Sequence, residues 1–213
     1  MKYTGRITVT LFVLIVILFI RMMVQYYLGQ PPHFIPIPAF VALAFAWFLG
    51  SKYDKSVYFA HRDALTNVFN RRYFDRQADK QLRFSRKKGA KLCIFVIDVN
   101  DFKQINDQYG HAKGDEVLQL ISRVLALHTG KRDILARSGG DEFLLLSPRI
   151  DRHEAENRIE FFHNKCAELS KRLRIPVSIS IGYSIYPDDA WNVGDLIFSA
   201  DTRMYRKKKK KAN

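Results

Sequence analysis

Acidic residues are missing from the first fifty positions of this chain, and strong bases there are limited to Lys2, Arg6 and Arg21. Such a segment lacks the charged face of a soluble domain. Ile7 to Ile20 is instead an unbroken run of apolar residues and Thr, and past Arg21 it resumes to Leu28. That is about 22 residues, enough to cross a bilayer. A tight break follows, Gly29-Gln30-Pro31-Pro32-His33, and then a second apolar run from Phe34 to Leu49. Pro36 and Pro38 sit near its start, where a helix tolerates them best. The expectation is a transmembrane hairpin, with spans at about 7–28 and 34–50 and a linker at 51–62. The break carries no Lys or Arg, whereas Lys2 and Arg6 flank one span and Lys52 and Lys55 the other. The positive-inside rule then places both ends in the cytoplasm. No small-residue cleavage site follows the first run, which argues against a secretory signal. So short a break also leaves no room for a large ligand-binding sensor.

Cysteine is scarce too. Cys93 and Cys166 are the only two, both at apolar positions, and no zinc spacing is present. They read as small core residues in a reducing compartment. Internal repeats are absent. So are a groove-reading motif and an interleaved aromatic ladder, which leaves nucleic-acid binding unsupported despite a formal charge of +14. Outside the first fifty residues 32 bases face 21 acids. A basic domain tied to a membrane is drawn to anionic lipid and to nucleoside triphosphates.

Two constellations are present. In the first, Arg137-Ser138-Gly139-Gly140-Asp141-Glu142-Phe143 is flanked by apolar runs, Ile134 to Ala136 before it and Phe143 to Leu146 after. Two apolar runs around a Gly-Gly pair predict a β-hairpin. Adjacent carboxylates at its tip repel each other unless a cation or donor sits there. Glycines at such a turn remove bulk and let a ligand approach. In the second, Lys91 to Ile97 is a near-continuous apolar run, typical of a strand buried on both faces. It ends in Asp98-Val99-Asn100-Asp101-Phe102-Lys103, followed by Asn106, Gly110-His111 and Gly114-Asp115. If the two strands are neighbours, Asp98 and Asp141 share a cation, and hard oxygen ligands suit Mg²⁺. Lys103 then meets a phosphate as a point charge. Asn106 and Asp115 offer the amide and carboxylate that pair with a guanine edge.

The rest of the pattern alternates helix and strand. Residues 63–84 read as one or two helices, 114–128 and 151–174 as amphipathic helices, 178–186 as a strand and 193–206 as the last helix. Helices between strands imply an α/β layer fold. Lys207 to Lys211 reads as a solvated tail.

From about residue 60 to the end, the chain resembles the GGDEF-domain diguanylate cyclases, which join two GTP into cyclic di-GMP and release pyrophosphate. Besides the two constellations, Asp63-Ala64-Leu65-Thr66-Asn67-Val68-Phe69-Asn70-Arg71-Arg72 is similar to the family's opening Asp-x-Leu-Thr-Gly-Leu-x-Asn-Arg-Arg. Ser178 to Gly182 resembles its late strand, and Ala200 to Lys208 its closing helix. The resemblance implies an α+β palm like that of nucleotidyl cyclases over residues 63–213, with a mainly antiparallel central sheet flanked by helices. It implies Asp98, the Val99 carbonyl and Asp141 as ligands for two Mg²⁺ ions, with Mn²⁺ as a substitute. Asp141 and Glu142 are the expected catalytic carboxylates, Glu142 as a metal ligand or as the acceptor of the hydroxyl proton. Asn106 and Asp115 are expected to hold guanine, and Lys103 and Lys208 to neutralise phosphates. Each domain of this family binds one GTP, so the active species is expected to be a homodimer. The implied setting is a bacterial cell membrane, with the catalytic domain on its cytoplasmic face. Which receptors take up the product is outside the reach of the sequence. The alternative reading is a catalytically degenerate GGDEF module that binds a nucleotide or a partner protein.

This chain departs from the family at several points. Asn67 replaces a Gly, Asn100 stands where many members have a second Asp, and Lys211-Ala212-Asn213 takes the place of Gly-Arg-Asn. Many members also carry an Arg-x-x-Asp pair, five residues before the Gly-Gly, where product binds and inhibits. Here that stretch is Gly130-Lys131-Arg132-Asp133. A glycine cannot make the paired hydrogen bonds of an arginine fork, so weak product inhibition is expected.

Overall fold

The computed structural model describes residues 3–29 and 37–212, without the side chains of 28 and 210–212. The break expected at 29–33 and the start of the second apolar run lie largely outside them, as do Lys2 and the side chains that end the chain. The chain forms two units, residues 1–60 and 61–213.

The first unit holds two helices, α1 (Thr4–Leu28) and α2 (Ile37–His61). Among the described residues only one helix, over Thr4–Tyr27, is long and apolar enough to cross a membrane. The expected pair of spans therefore has a single clear member. The described part of the second run, Ile37 to Leu49, falls short of the roughly 20 residues a span needs. It passes without a break into Ser51, Lys52, Asp54 and Lys55, so the expected linker is helix as well. Near the start of α1 the two helices meet. A side chain at Gly50 would lie 2.5 Å from the Arg6 Cα. The Asp54 carboxylate accepts the Gly5 N–H at 2.7 Å and the Arg6 N–H at 3.3 Å. It thereby satisfies two of the amides that a helix start leaves unpaired.

The second unit is built on a five-stranded sheet in the order β1-β3-β4-β2-β5. Its strands are β1 (Phe69–Asn70), β2 (Leu92–Val99), β3 (Ile134–Arg137), β4 (Glu142–Pro148) and β5 (Ile179–Tyr186). Only β1 and β3 run parallel. The other pairs are antiparallel, so the sheet is mixed and mostly antiparallel. Its helices are α3 (Arg71–Lys88), α4 (Phe102–Tyr109), α5 (His111–Leu127), α6 (Arg152–Leu173) and α7 (Val193–Ala212). The period of two along β2 sorts the core into two layers. Cys93, Phe95, Ile97 and Val99 pack with α5 and α6, while Leu92, Ile94 and Val96 pack with α3 and α7. Cys93 and Cys166 are buried and unpaired. Burial pushes both thiols up, Cys166 to about 12.

Local chemistry explains most boundaries. Asp151 and Glu154 form a reciprocal capping box at the start of α6. Asn70 caps α3 by accepting the Tyr73 N–H. The helix expected from residue 63 starts only at Arg71, because the Asp63 carboxylate takes the Thr66 N–H and hydroxyl and closes a turn. Asn67 in that turn has φ +58°, a left-handed conformation open to Gly and tolerated by Asn. The departure at this position thus has a physical reason. The last helix runs on past its expected end at 206 to Ala212, and Lys207 and Lys209 within it stay exposed as expected of a solvated run.

Two features place α7. A side chain at Gly182 would collide with the Ala200 carbonyl and the Met204 backbone, so only a glycine lets α7 lie so close to β5. At the sheet edge, α7 and the turn after β5 cap that strand. Arg203 donates to the Tyr183 carbonyl at 2.9 Å, and Asp189 accepts the Ile185 N–H at 2.8 Å.

Candidate active site

β2 and β4 are direct neighbours, with Asp98 opposite Glu142 and the Val99 N–H bonded to the Asp141 carbonyl at 3.1 Å. Residues opposite each other on paired strands share a face, so Asp98 and Glu142 emerge together on the side of α3 and α7. Asp141 precedes Glu142 in the turn from β3 to β4. The expected hairpin is present, but neither glycine in it adopts a positive φ. A Cβ at Gly139 would press to 3.2 Å from Glu142 Oε2, the movable end of an exposed side chain, and one at Gly140 would meet open space, so the fold of the turn does not itself demand the two glycines. Arg137 fastens the turn by donating from Nε and Nη2 to the Gly140 carbonyl, at 3.1 and 2.6 Å.

These carboxylates are too crowded to be indifferent to charge. Burial first, and then Asp141 and Asp201, raise the Asp98 pKa even though Lys208 pulls it down. Desolvation, Asp141, Asp98 and Asp201 likewise raise Glu142. Asp201, on α7, is a fourth carboxylate that sequence reasoning quoted but gave no role. Among the described residues, no three acidic, imidazole or thiol groups form a closed metal cage. Two carboxylates and a backbone carbonyl nevertheless suit Mg²⁺, which keeps waters and substrate phosphates in its shell.

Lys208 reaches the same end of the sheet from α7, although not toward open space: its Nζ donates to Asp98 Oδ1 at 2.5 Å. In this structure the lysine expected to meet a phosphate neutralises the expected metal ligand. Lys103, on α4, is exposed. Asn106 and Asp115 lie on the adjoining helices α4 and α5, and Gly114 is what lets them approach. A Cβ at Gly114 would run into the Asn106 amide and come within 3.2 Å of the Phe102 ring. Asp101, at the start of α4, has φ +53°, the left-handed conformation that Asp, like Asn, tolerates. Asn100 donates to Ser178 Oγ at 2.8 Å and accepts from Ser180 Oγ at 2.7 Å. An aspartate there would lose the donor half of this tie between β2 and β5.

Sequence reasoning quoted Arg71 and Arg137 without assigning them a task. Both line a recess of about 290 Å³ beside the hairpin, together with Asp63, Arg72 and Gly139. The ion pair of Arg137 with Asp63, at 3.0 Å, joins the hairpin to the opening turn. The Asp63–Arg137 bridge has no local signal because its partners lie 74 positions apart, whereas Arg71 also pairs locally with Asp75, four residues on. The Asp of the product-binding stretch is occupied: Asp133 accepts from Arg158 at 2.7 Å and from the Gly130 N–H at 3.0 Å.

Comparison with known proteins agrees with this geometry. Residues 60–213 match the family described as "Diguanylate cyclase, GGDEF domain". The chain is 34% identical over 154 residues to the probable diguanylate cyclase DgcT of Escherichia coli, covering 70% of this chain and 34% of that one. It is also 34% identical over 153 residues to the diguanylate cyclase TpbB of Pseudomonas aeruginosa, covering 68% and 34%. The chain thus spans about a third of the length of these curated relatives. Among solved structures, the coiled coil and GGDEF domain of DgcB from Caulobacter crescentus, in complex with c-di-GMP, superposes with a TM-score of 0.71 at 25% identity, covering 78% of this chain and 90% of that one. The isolated GGDEF domain of TpbB gives 0.66 at 32% identity, covering 70% and 90%. With the carboxylate-tipped hairpin, the mixed sheet and a match over residues 60–213, the chain belongs to the GGDEF family.

Proposed function

We propose that the domain is a diguanylate cyclase that condenses two GTP into cyclic di-GMP and releases two pyrophosphates. The observation that carries this reading is the convergence of Asp98, Asp141 and Glu142 at the ends of two paired strands. Asn106 and Asp115 read the donor and acceptor edge of guanine, which favours GTP over ATP. Lys103 and Lys208 neutralise phosphates, and Lys208 exchanges Asp98 for a phosphate oxygen when substrate enters. Asp98, the Val99 carbonyl and Asp141 hold Mg²⁺, or Mn²⁺ in its place. When bound, the cations offset charge on the reacting phosphate and make the 3′-hydroxyl more acidic. Glu142 completes this ligand set or accepts the hydroxyl proton.

One domain presents one such site, so two chains must face each other for one GTP to attack the other, and the active species is a homodimer. Helix α1 anchors the chain in a membrane with the domain on the cytoplasmic side, where GTP is available. Tethering two chains to one surface raises their effective concentration.

The test is the purified full chain with GTP and Mg²⁺, scored for cyclic di-GMP, with ATP as the control. Product from GTP alone is expected. Absence of product from a folded, dimeric, metal-loaded chain would instead favour the degenerate nucleotide-binding module.

A further inference from the structure

A second recess, of about 420 Å³, lies at the β5 edge of the sheet. Arg152 and Glu156 of α6, Tyr183 of β5, and Arg203, Arg206 and Lys207 of α7 line it. Helical spacing makes the cations converge, because residues three and four apart share a face. Arg203, Arg206 and Lys207 form one such set, and Arg152 and Glu156 another. α6 and α7 pack on opposite layers of the sheet, so their side chains meet only around the edge strand.

Part of this charge is already spoken for. Arg203 grips Asp189 through two hydrogen bonds, at 2.9 and 2.7 Å, and Arg152 reaches the same carboxylate at 3.4 Å. The Tyr183 hydroxyl donates to Glu156 at 2.8 Å. Arg206 and Lys207 have no ion-pair partner among the described residues. Counting Asp189 and Glu156 against the four bases leaves two positive charges uncompensated in an open recess.

We propose that this recess is a second binding site, separate from the carboxylate end, for a soluble phosphate anion of the pyrophosphate class. A guanidinium fork and a lysine point charge are the groups that recognise phosphate oxygens. The two uncompensated charges match a ligand carrying at least two negative ones. The volume falls in the range of small-molecule sites and exceeds the needs of a single chloride or carboxylate. Lys207 precedes Lys208, whose Nζ sits on Asp98. An anion held by Arg206 and Lys207 therefore restrains the turn of α7 that carries Lys208. Any effect of this on turnover rests on the cyclase reading, whereas the binding does not.

The experiment titrates inorganic pyrophosphate calorimetrically into the full chain in magnesium-free buffer. It compares the natural protein with Arg206→Ala/Lys207→Ala and with Lys103→Ala, which lies at the other site. Both recess side chains are exposed or partner-free, so the double variant should keep its fold, checked by its melting curve. Loss of two charge-assisted contacts should weaken recess binding at least roughly tenfold. Lys103→Ala should leave that phase intact. Hydrogen exchange should show pyrophosphate protecting residues 152–156 and 203–207 in the natural protein. An unchanged titration in the double variant, or protection confined to the carboxylate end, overturns the proposal. GTP cyclisation without recess binding defeats this inference alone, and loss of both defeats the reading of the active site as well.

Discussion

Asp98 and Asp189 each receive a cation from α7, yet their states are opposite. Asp98 takes one bond from Lys208, and burial together with Asp141 and Asp201 still raises its pKa. Asp189 takes two bonds from Arg203, and these, with the Ile185 N–H and the neighbouring Arg152, hold it at about 2 despite burial. Pairing alone does not decide the state of a carboxylate. Burial, the number of donors and the like charges nearby together do. One end of the sheet is left with an excess of negative charge suited to an incoming cation, whereas at the β5 edge Asp189 is fully paired and the recess beside it keeps an excess of positive charge.

The largest effect that could break this contrast is on turnover. Asp141→Ala and Glu142→Ala should each lower cyclic di-GMP formation by at least about a hundredfold while circular dichroism stays native. Near-normal rates in either variant would move the chemistry away from the acidic end. A third carboxylate sharpens the comparison. Asp133 is already paired with Arg158 and the Gly130 N–H. Product should therefore inhibit roughly ten- to a hundredfold more weakly than in Gly130→Arg, measured by initial rates with added cyclic di-GMP. Submicromolar inhibition of the natural chain that vanishes in Asp133→Ala would contradict this.

Smaller effects concern stability. Asp189→Asn should cost about 1 to 2 kcal/mol at neutral pH, read as a melting point a few degrees lower. Because the folded pKa of Asp189 is depressed, its contribution is full above the unfolded value near 4 and is lost as pH falls through about 2. The gap between natural and variant melting points should close over that window, and a constant gap would show that the charge is irrelevant. The smallest effect should have the opposite sign. Glu142 is exposed and its pKa is raised, so at neutral pH its charge disfavours the folded state. Glu142→Gln should stabilise the metal-free chain by about 0.5 kcal/mol or less, and added Mg²⁺ should narrow the difference. A destabilised Gln variant would mean that Glu142 has a structural task.

The central strands and the hairpin were legible because burial on both faces leaves an apolar run, and the turn leaves Gly139-Gly140. Asp98, Asp141, Asn106 and Asp115 were legible as chemistry placed just beyond such runs. Other parts depend on partners far away in the chain. Nothing local marks the Asp63–Arg137 bridge, the grip of Arg203 on Asp189 or the turn of Lys208 onto Asp98. The region 63–70 has helical periodicity, but the Asp63 carboxylate wins the Thr66 amide and a turn forms. Five successive lysines argue for solvated side chains, as Lys207 and Lys209 are, but they do not mark where the helix begun at Val193 ends. The second apolar run reads as a membrane span, but its start lies outside the described residues and the described part, Ile37 to Leu49, is short of one.

The caps on β5 have a consequence for how this chain behaves when concentrated. An outer strand with open amides and carbonyls is a template on which other chains can add strands and grow into aggregates. Here Arg203 covers the Tyr183 carbonyl and Asp189 covers the Ile185 N–H. The same two side chains hold each other in place, so protonating Asp189 loosens both covers together. Strong acid should therefore uncover these two groups of the edge strand, read as faster hydrogen exchange at Ile185 below about pH 2.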